Sequence, residues 1–209
     1  MSFVIFDTEY TTWEGCLQNG WQGQQKKEVV QIAALKVDSD FNVLAEFNRL
    51  CRPQINPVLS DYFVNLTGIT NEQVVAQGVD FATAYADFKA FVGGDCCVSH
   101  GWGGAWQDAC DGDILAENLR LYHLPQDTSM RYYNIAALFK EAYQKHKIEV
   151  KSQSSGQIVK ILGLQKKLTE LNLDEHNALF DVYSILCGIK HFKEDFTIYL
   201  RKLLTNFAI

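Results

Sequence analysis

Phe3-Val4-Ile5-Phe6-Asp7-Thr8-Glu9 is the stretch that decides how this chain reads. The apolar run Phe3–Phe6 has the composition of a strand buried on both faces, and two carboxylates follow it one residue apart. Side chains alternate along a strand, so Asp7 and Glu9 point to the same side. Like charges held that close repel unless something positive lies between them. The simplest such partner is a divalent cation bound through oxygen ligands. Short acidic pairs are common, so the reading depends on further acids downstream.

They are present. His176-Asn177-Ala178-Leu179-Phe180-Asp181 is followed by Val182, Ile185, Leu186 and Ile189, apolar residues at the spacing of a helix packed on a core. His176 and Asp181 are five apart, about 140° around a helix. Both line one cleft if His176 sits on the first turn and Asp181 a turn deeper. A third acid is wanted from the middle of the chain, where Asp108, Asp111 and Asp113 are available. Taken singly, each residue has a plainer role: a turn acid, a helix N-cap, a surface histidine.

Taken in order, these residues resemble the DEDDh group of 3′-to-5′ exonucleases, the superfamily of RNase T and of the proofreading subunit of bacterial replicases. Asp7 and Glu9 match the first motif of that group, and His176 with Asp181 matches the third. Arg52-Pro53-Gln54-Ile55-Asn56-Pro57, Leu59-Ser60-Asp61-Tyr62-Phe63 and Leu66-Thr67-Gly68-Ile69-Thr70 resemble the connector between motifs, most of all that of the Eri-type branch. The likeness runs from about residue 2 to about 190. The second motif departs from the pattern, because the passage from Ser99-His100-Gly101-Trp102 to its aspartate is longer than usual. Asp111 places Ile114, Leu115, Leu119 and Leu121 at the family's apolar offsets and is chosen on that ground, with Asp113 as the alternative.

The resemblance implies a ribonuclease H-like fold, α/β in class, with a mixed sheet flanked by helices and one exonuclease domain over 1–209. It implies two Mg²⁺ ions, replaceable by Mn²⁺, held by Asp7, Glu9, Asp111 and Asp181. His176 would be the general base that takes a proton from attacking water, and the product a nucleoside 5′-monophosphate. The substrate would be a single-stranded 3′ end, with RNA favoured over DNA on the strength of the Eri-like connector. The same chemistry on DNA, or a nuclease-like module that binds a protein partner, are the rival readings. Thr8, Tyr10 and Trp13 are expected to contact substrate. Tyr10 and Trp13, with Trp102 and Trp106, offer rings on which bases stack whatever their sequence.

Composition sets the frame. The 209 residues suffice for one well-filled domain, and no apolar stretch is long enough to span a bilayer. The six cysteines lack zinc spacing, and free thiols in a reducing compartment, the cytoplasm or nucleus by default, are expected. Net charge is −6, unevenly spread: residues 1–130 hold 7 basic and 17 acidic residues, and residues 131–209 hold 12 and 8. An acidic total argues against loose binding to long nucleic acid as the main activity, and targeting is expected to come from a partner or from the cleft itself.

The pattern predicts strands over 2–6, 28–37, 42–51 and 96–99, with a short one near 133. Helices are expected near 60–65 and 71–77, and over 80–92, 113–123, 135–146, 157–171, 175–192 and 195–206. Lys151-Ser152-Gln153-Ser154-Ser155-Gly156 reads as an exposed loop, and Gly101-Trp102-Gly103-Gly104 lacks the Lys-Ser/Thr ending of a triphosphate loop.

Overall fold

A computed structural model describes residues 2–101, 110–150 and 154–205, with side chains as far as residue 200. β1 (Ser2–Tyr10) runs through the middle of a five-stranded sheet of order β3-β2-β1-β4-β5. β2 (Val29–Asp38) pairs antiparallel with β1, and β3 (Val43–Leu50) antiparallel with β2. β4 (Cys97–Ser99) lies parallel to β1 on its other side, with β5 (Tyr132–Asn134) parallel to β4. The carboxyl ends of β1, β4 and β5 therefore open at one end of the sheet, where α/β folds place their ligands.

Alternation along β1 divides the core. Phe3 and Ile5 face Phe139 of α6 (Ala136–Lys145), Val182 and Ile185 of α8 (Ala178–His191), and Phe196 of α9 (Lys193–Thr205). Val4 and Phe6 face the other way, against Phe81 and Phe88 of α4 (Phe81–Val92) and Leu115 of α5 (Asp111–Leu121). With both faces covered, β2 is buried from Val29 to Leu35 and reads as an apolar run broken only by Gln31. This is the mixed sheet flanked by helices that the sequence implies. Among the described residues no helix is long and apolar enough to cross a membrane.

The connector folds at the carboxyl end of β1. Ser60 caps α2 (Asp61–Thr67) by accepting from the Phe63 amide, and Thr70 with Gln73 forms a capping box on α3 (Asn71–Gln77). Leu59, Phe63, Ile69 and Val74 gather on Val30 of β2 in a small separate core. Glu28 ties this unit down. Its carboxylate is fully buried and accepts from the amides of Gln54, Ile55 and Asn56 at 2.7, 2.8 and 2.5 Å and from the Tyr122 hydroxyl at 2.6 Å.

Several boundaries differ from expectation. β1 continues through Tyr10, so Asp7 and Glu9 lie within the strand, and α5 begins at Asp111 rather than 113. A short helix, α1 (Cys16–Asn19), follows β1 unannounced by any apolar period. The expected helix over 157–171 is broken into α7 (Ile158–Ile161) and a 3₁₀ segment over Gln165–Leu171, because Gly163 turns left-handed at φ +67° between them. The expected exposed loop over 151–156 is corrected where it is described: Ser155 and Gly156 are buried and open a 3₁₀ turn, Ser155–Gln157. Residues 151–153 of that loop lie outside the described residues.

Glu28→Ala leaves three part-buried amides and a hydroxyl without their acceptor. A loss of about 3 kcal/mol or more is expected in denaturant unfolding, against about 1 kcal/mol for Tyr122→Phe, which removes one donor.

Candidate metal centre

Strand geometry puts Asp7 and Glu9 on the face covered by α8. Their neighbours across the antiparallel ladder are Ala33 and Gln31. Asp181 enters from the first turn of α8, where an acid is favoured by the helix dipole. One carboxylate oxygen from each of Asp7, Glu9 and Asp181 lies within 4.8 Å of the others. Asp7 and Asp181 are buried, and Glu9 is half-buried. Gln31 fixes the start of α8 beside Glu9: its Oε1 accepts from the Ala178 amide at 2.9 Å, and its Nε2 donates to Asn177 Oδ1 at 3.3 Å.

Asp111 arrives from the opposite face. Thr8 points away from Asp7 and Glu9 toward α5, and both its amide and its hydroxyl donate to Asp111 Oδ1, at 2.9 and 2.6 Å. The start of α5 is packed tightly against β5, since a Cβ on Gly112 would lie 2.5 Å from the Tyr132 ring. Asp113 turns outward, is exposed, and accepts from the Cys110 amide at 3.2 Å in a cap on its own helix. Asp108 lies outside the described residues, as do Trp102 and Trp106.

His176 does not belong to the helix that carries Asp181. It occupies the preceding turn at φ +68°, a left-handed conformation that costs a side-chain-bearing residue on the order of 1 kcal/mol. His176 and Asp181 are therefore not separated by the angle of a shared helix. In this turn the His176 amide donates to Asp181 Oδ1 at 3.3 Å, which brings the residue to the acids by its backbone. His100 is buried, packs its ring on Phe139 and is pushed down to about 4 by burial, so it stands neutral in the core.

Ser155 escaped the sequence reading. Its hydroxyl donates to Asp181 Oδ2 at 2.8 Å, and Gly156 beside it presses so close that a Cβ there would lie 2.5 Å from Asp181 Oδ1. Of the residues expected to contact substrate, Thr8 spends its hydroxyl on Asp111. Tyr10 packs its ring against Trp21, tilted by 43° with centroids 5.9 Å apart, and Trp13 is half-buried in the loop that follows. Next to the acids a cleft of about 590 Å³ runs between β2–β3, α2–α3 and the turn before α8. Gln31, Asn48, Thr67, Gln73, Asn172 and Asn177 give it a wall of amides and a hydroxyl.

The electrostatics follow from the crowding. Burial pushes the Asp7 carboxyl well above the usual carboxylate range, and Asp111, Asp181 and Glu9 push it further. Glu9 is raised in the same way by burial, Asp181 and Asp111. Burial also raises Asp111 against the two Thr8 donors, and raises Asp181 to about 7 against the donors from Ser155 and His176. Among the described residues no lysine, arginine or histidine forms an ion pair with any of the four. An all-carboxylate donor set with no protein cation fits a hard divalent ion that keeps some of its water.

These shifts fix the sign of a pH effect. Between 3.8 and about 7 the folded chain keeps a proton on Asp181 that the unfolded chain releases. That contribution to stability is complete below the lower value and lost above the higher. In EDTA, Asp181→Asn should therefore gain melting temperature relative to the parent as pH rises from about 4 to about 8, and saturating Mn²⁺ should stabilise the parent alone. Parallel melting curves for the two proteins would contradict the assignment.

Comparison with known proteins agrees with this fold. ERI1 exoribonuclease 2 of Xenopus laevis is 31% identical over 90 residues, which are 43% of this chain and only 12% of that protein's length. The structure of the nuclease domain of 3′hExo, a DEDDh family member bound to rAMP, superposes with a TM-score of 0.63 at 19% identity, covering 93% of this chain and 92% of the other. Escherichia coli exonuclease I in complex with a dA16 oligonucleotide superposes with a TM-score of 0.66 at 18% identity, over 90% of this chain and 40% of the other. The RNase_T exonuclease family matches residues 4–187, from the second residue of β1's apolar run to the last turns of α8, and the chain belongs to that family.

Proposed function

We propose that this protein is a metal-dependent 3′-to-5′ exonuclease that hydrolyses single-stranded 3′ ends, RNA in preference to DNA, and releases nucleoside 5′-monophosphates. The observation that carries the proposal is the convergence of Asp7, Glu9 and Asp181 to within 4.8 Å, with Asp111 held beside them by Thr8, in a member of an exonuclease family. Asp7, Glu9, Asp111 and Asp181 would hold two divalent ions, Mg²⁺ with Mn²⁺ able to substitute. Such a pair supplies a hydroxide-like water and neutralises charge on the attacking and leaving oxygens. His176 is the proposed base, a role suited to imidazole, and the bond from its amide to Asp181 keeps the residue beside the acids.

The amide-walled cleft is the proposed path of the strand. Its wall carries mostly neutral donors and acceptors, with Arg49 and Asp174 the charged residues that line it, which suits a short grip on the last nucleotides and accords with the acidic net charge. The RNA preference rests on the connector over 52–70 and on the likeness to an exoribonuclease. The likeness to exonuclease I with bound dA16 supports DNA as the second reading. Six free thiols fit a reducing compartment, here the cytoplasm, and targeting is assigned to a protein partner.

Asp7→Ala and Asp181→Ala should each lower cleavage in Mg²⁺ by about a thousandfold, roughly 4 kcal/mol of barrier, with the fold intact by circular dichroism. Full activity in either variant would contradict the proposal. Asp111→Asn should be far more damaging than Asp113→Asn, and the reverse order would move the middle ligand to Asp113. Matched single-stranded RNA and DNA oligonucleotides should be degraded at different rates, RNA faster, because a 2′-hydroxyl contact affects one alone.

A further inference from the structure

Ser155 lies outside every motif of the resemblance, yet it makes the shortest hydrogen bond to Asp181. Its hydroxyl takes Asp181 Oδ2 at 2.8 Å, while the His176 amide takes Oδ1 at 3.3 Å. The two donors come from two different segments and define the plane of the carboxylate. The serine is itself fixed by α8. Ser184, three residues after Asp181 and so on the same side of the helix, donates to the Ser155 carbonyl at 2.7 Å and accepts from the Val159 amide at 3.2 Å. Gly156 completes the clamp, since only a residue without a side chain lets this backbone lie against Asp181 and Glu175.

We propose that Ser155 is a positioning residue that sets the metal affinity of the centre, by holding the Asp181 carboxylate turned toward Asp7 and Glu9. This rests on the metal-centre reading above. Without the hydroxyl, repulsion among the clustered acids swings Asp181 away, and metal binding must reverse that rotation. Losing such an outer hydrogen bond weakens metal binding by about 10- to 100-fold. The hydroxyl contributes nothing to the reacting atoms, so its loss is recovered by raising the metal concentration.

The test measures Mn²⁺ binding to the full chain without substrate, from the electron paramagnetic resonance signal of free Mn²⁺. Melting curves in EDTA check folding. Ser155→Ala should bind Mn²⁺ at least about 10-fold more weakly than the parent, with the metal midpoint of cleavage raised in step and kcat at saturating metal within a few-fold. Ser155→Thr and Ser155→Val are nearly isosteric and differ in the hydroxyl. Thr should bind more tightly than Val, and this pair decides the matter if the alanine variant does not fold. Unchanged affinity in Ser155→Ala, or equal affinities in Thr and Val, overturns the inference while Asp181→Asn still loses binding. If Asp181→Asn also binds like the parent, the metal-centre reading falls and the inference falls with it.

Discussion

Four carboxylates crowd the carboxyl end of β1 with no protein cation paired to them among the described residues, and the rest of the structure is arranged around that repulsion. The fold offsets part of it with neutral donors. The Thr8 amide and hydroxyl satisfy Asp111, and Ser155 with the His176 amide satisfies Asp181. The remainder keeps Asp7, Glu9, Asp111 and Asp181 above the usual carboxylate range. A folded domain that bears such a cost has a use for the charge, because replacing the acids with neutral residues would be the simpler route to stability. This weighs against a module that only binds a partner.

The scaffold supplies what the cluster lacks, which is rigidity. Asp7 and Glu9 stand on a central strand and are paired with Ala33 and Gln31 of β2, so neither can move without breaking that ladder. Asp181 rides on a helix packed across β1 and β2, and Gln31 stitches that helix to the strand facing Glu9. Asp111 reaches the site from the far face because the parallel strand β4 ends beside β1 and the chain then enters α5. Glu28 performs a separate task, holding the connector that walls the cleft. Buried acid thus serves two ends in one molecule: Glu28 surrounded by donors as a structural pin, and the four at β1 left in want of positive charge.

What the sequence revealed was what local periodicity encodes. Asp7 and Glu9 were legible because a strand forces alternate residues to one side. Asp111 was distinguishable from Asp113 because a helix with Leu115 and Leu119 inward turns residue 113 outward. What stayed hidden depends on contacts distant in the chain. Ser155 meets Asp181 across 26 residues, and Ser-Gln-Gly composition gives no hint of burial. His176 was placed on a helix because five-residue spacing invites that geometry, whereas Asn177 caps the helix and the histidine takes a left-handed turn before it. The apolar period over 157–171 is real, but Gly163 breaks the helix that it suggests.

The most direct measurement is anomalous diffraction from crystals soaked with Mn²⁺ and a nucleoside 5′-monophosphate near neutral pH. Two manganese peaks roughly 3.5–4 Å apart, both touching Asp7 and shared among Glu9, Asp111 and Asp181, are expected. A cluster that holds only water under saturating Mn²⁺, or a lysine or arginine folded in among the acids, would contradict the account.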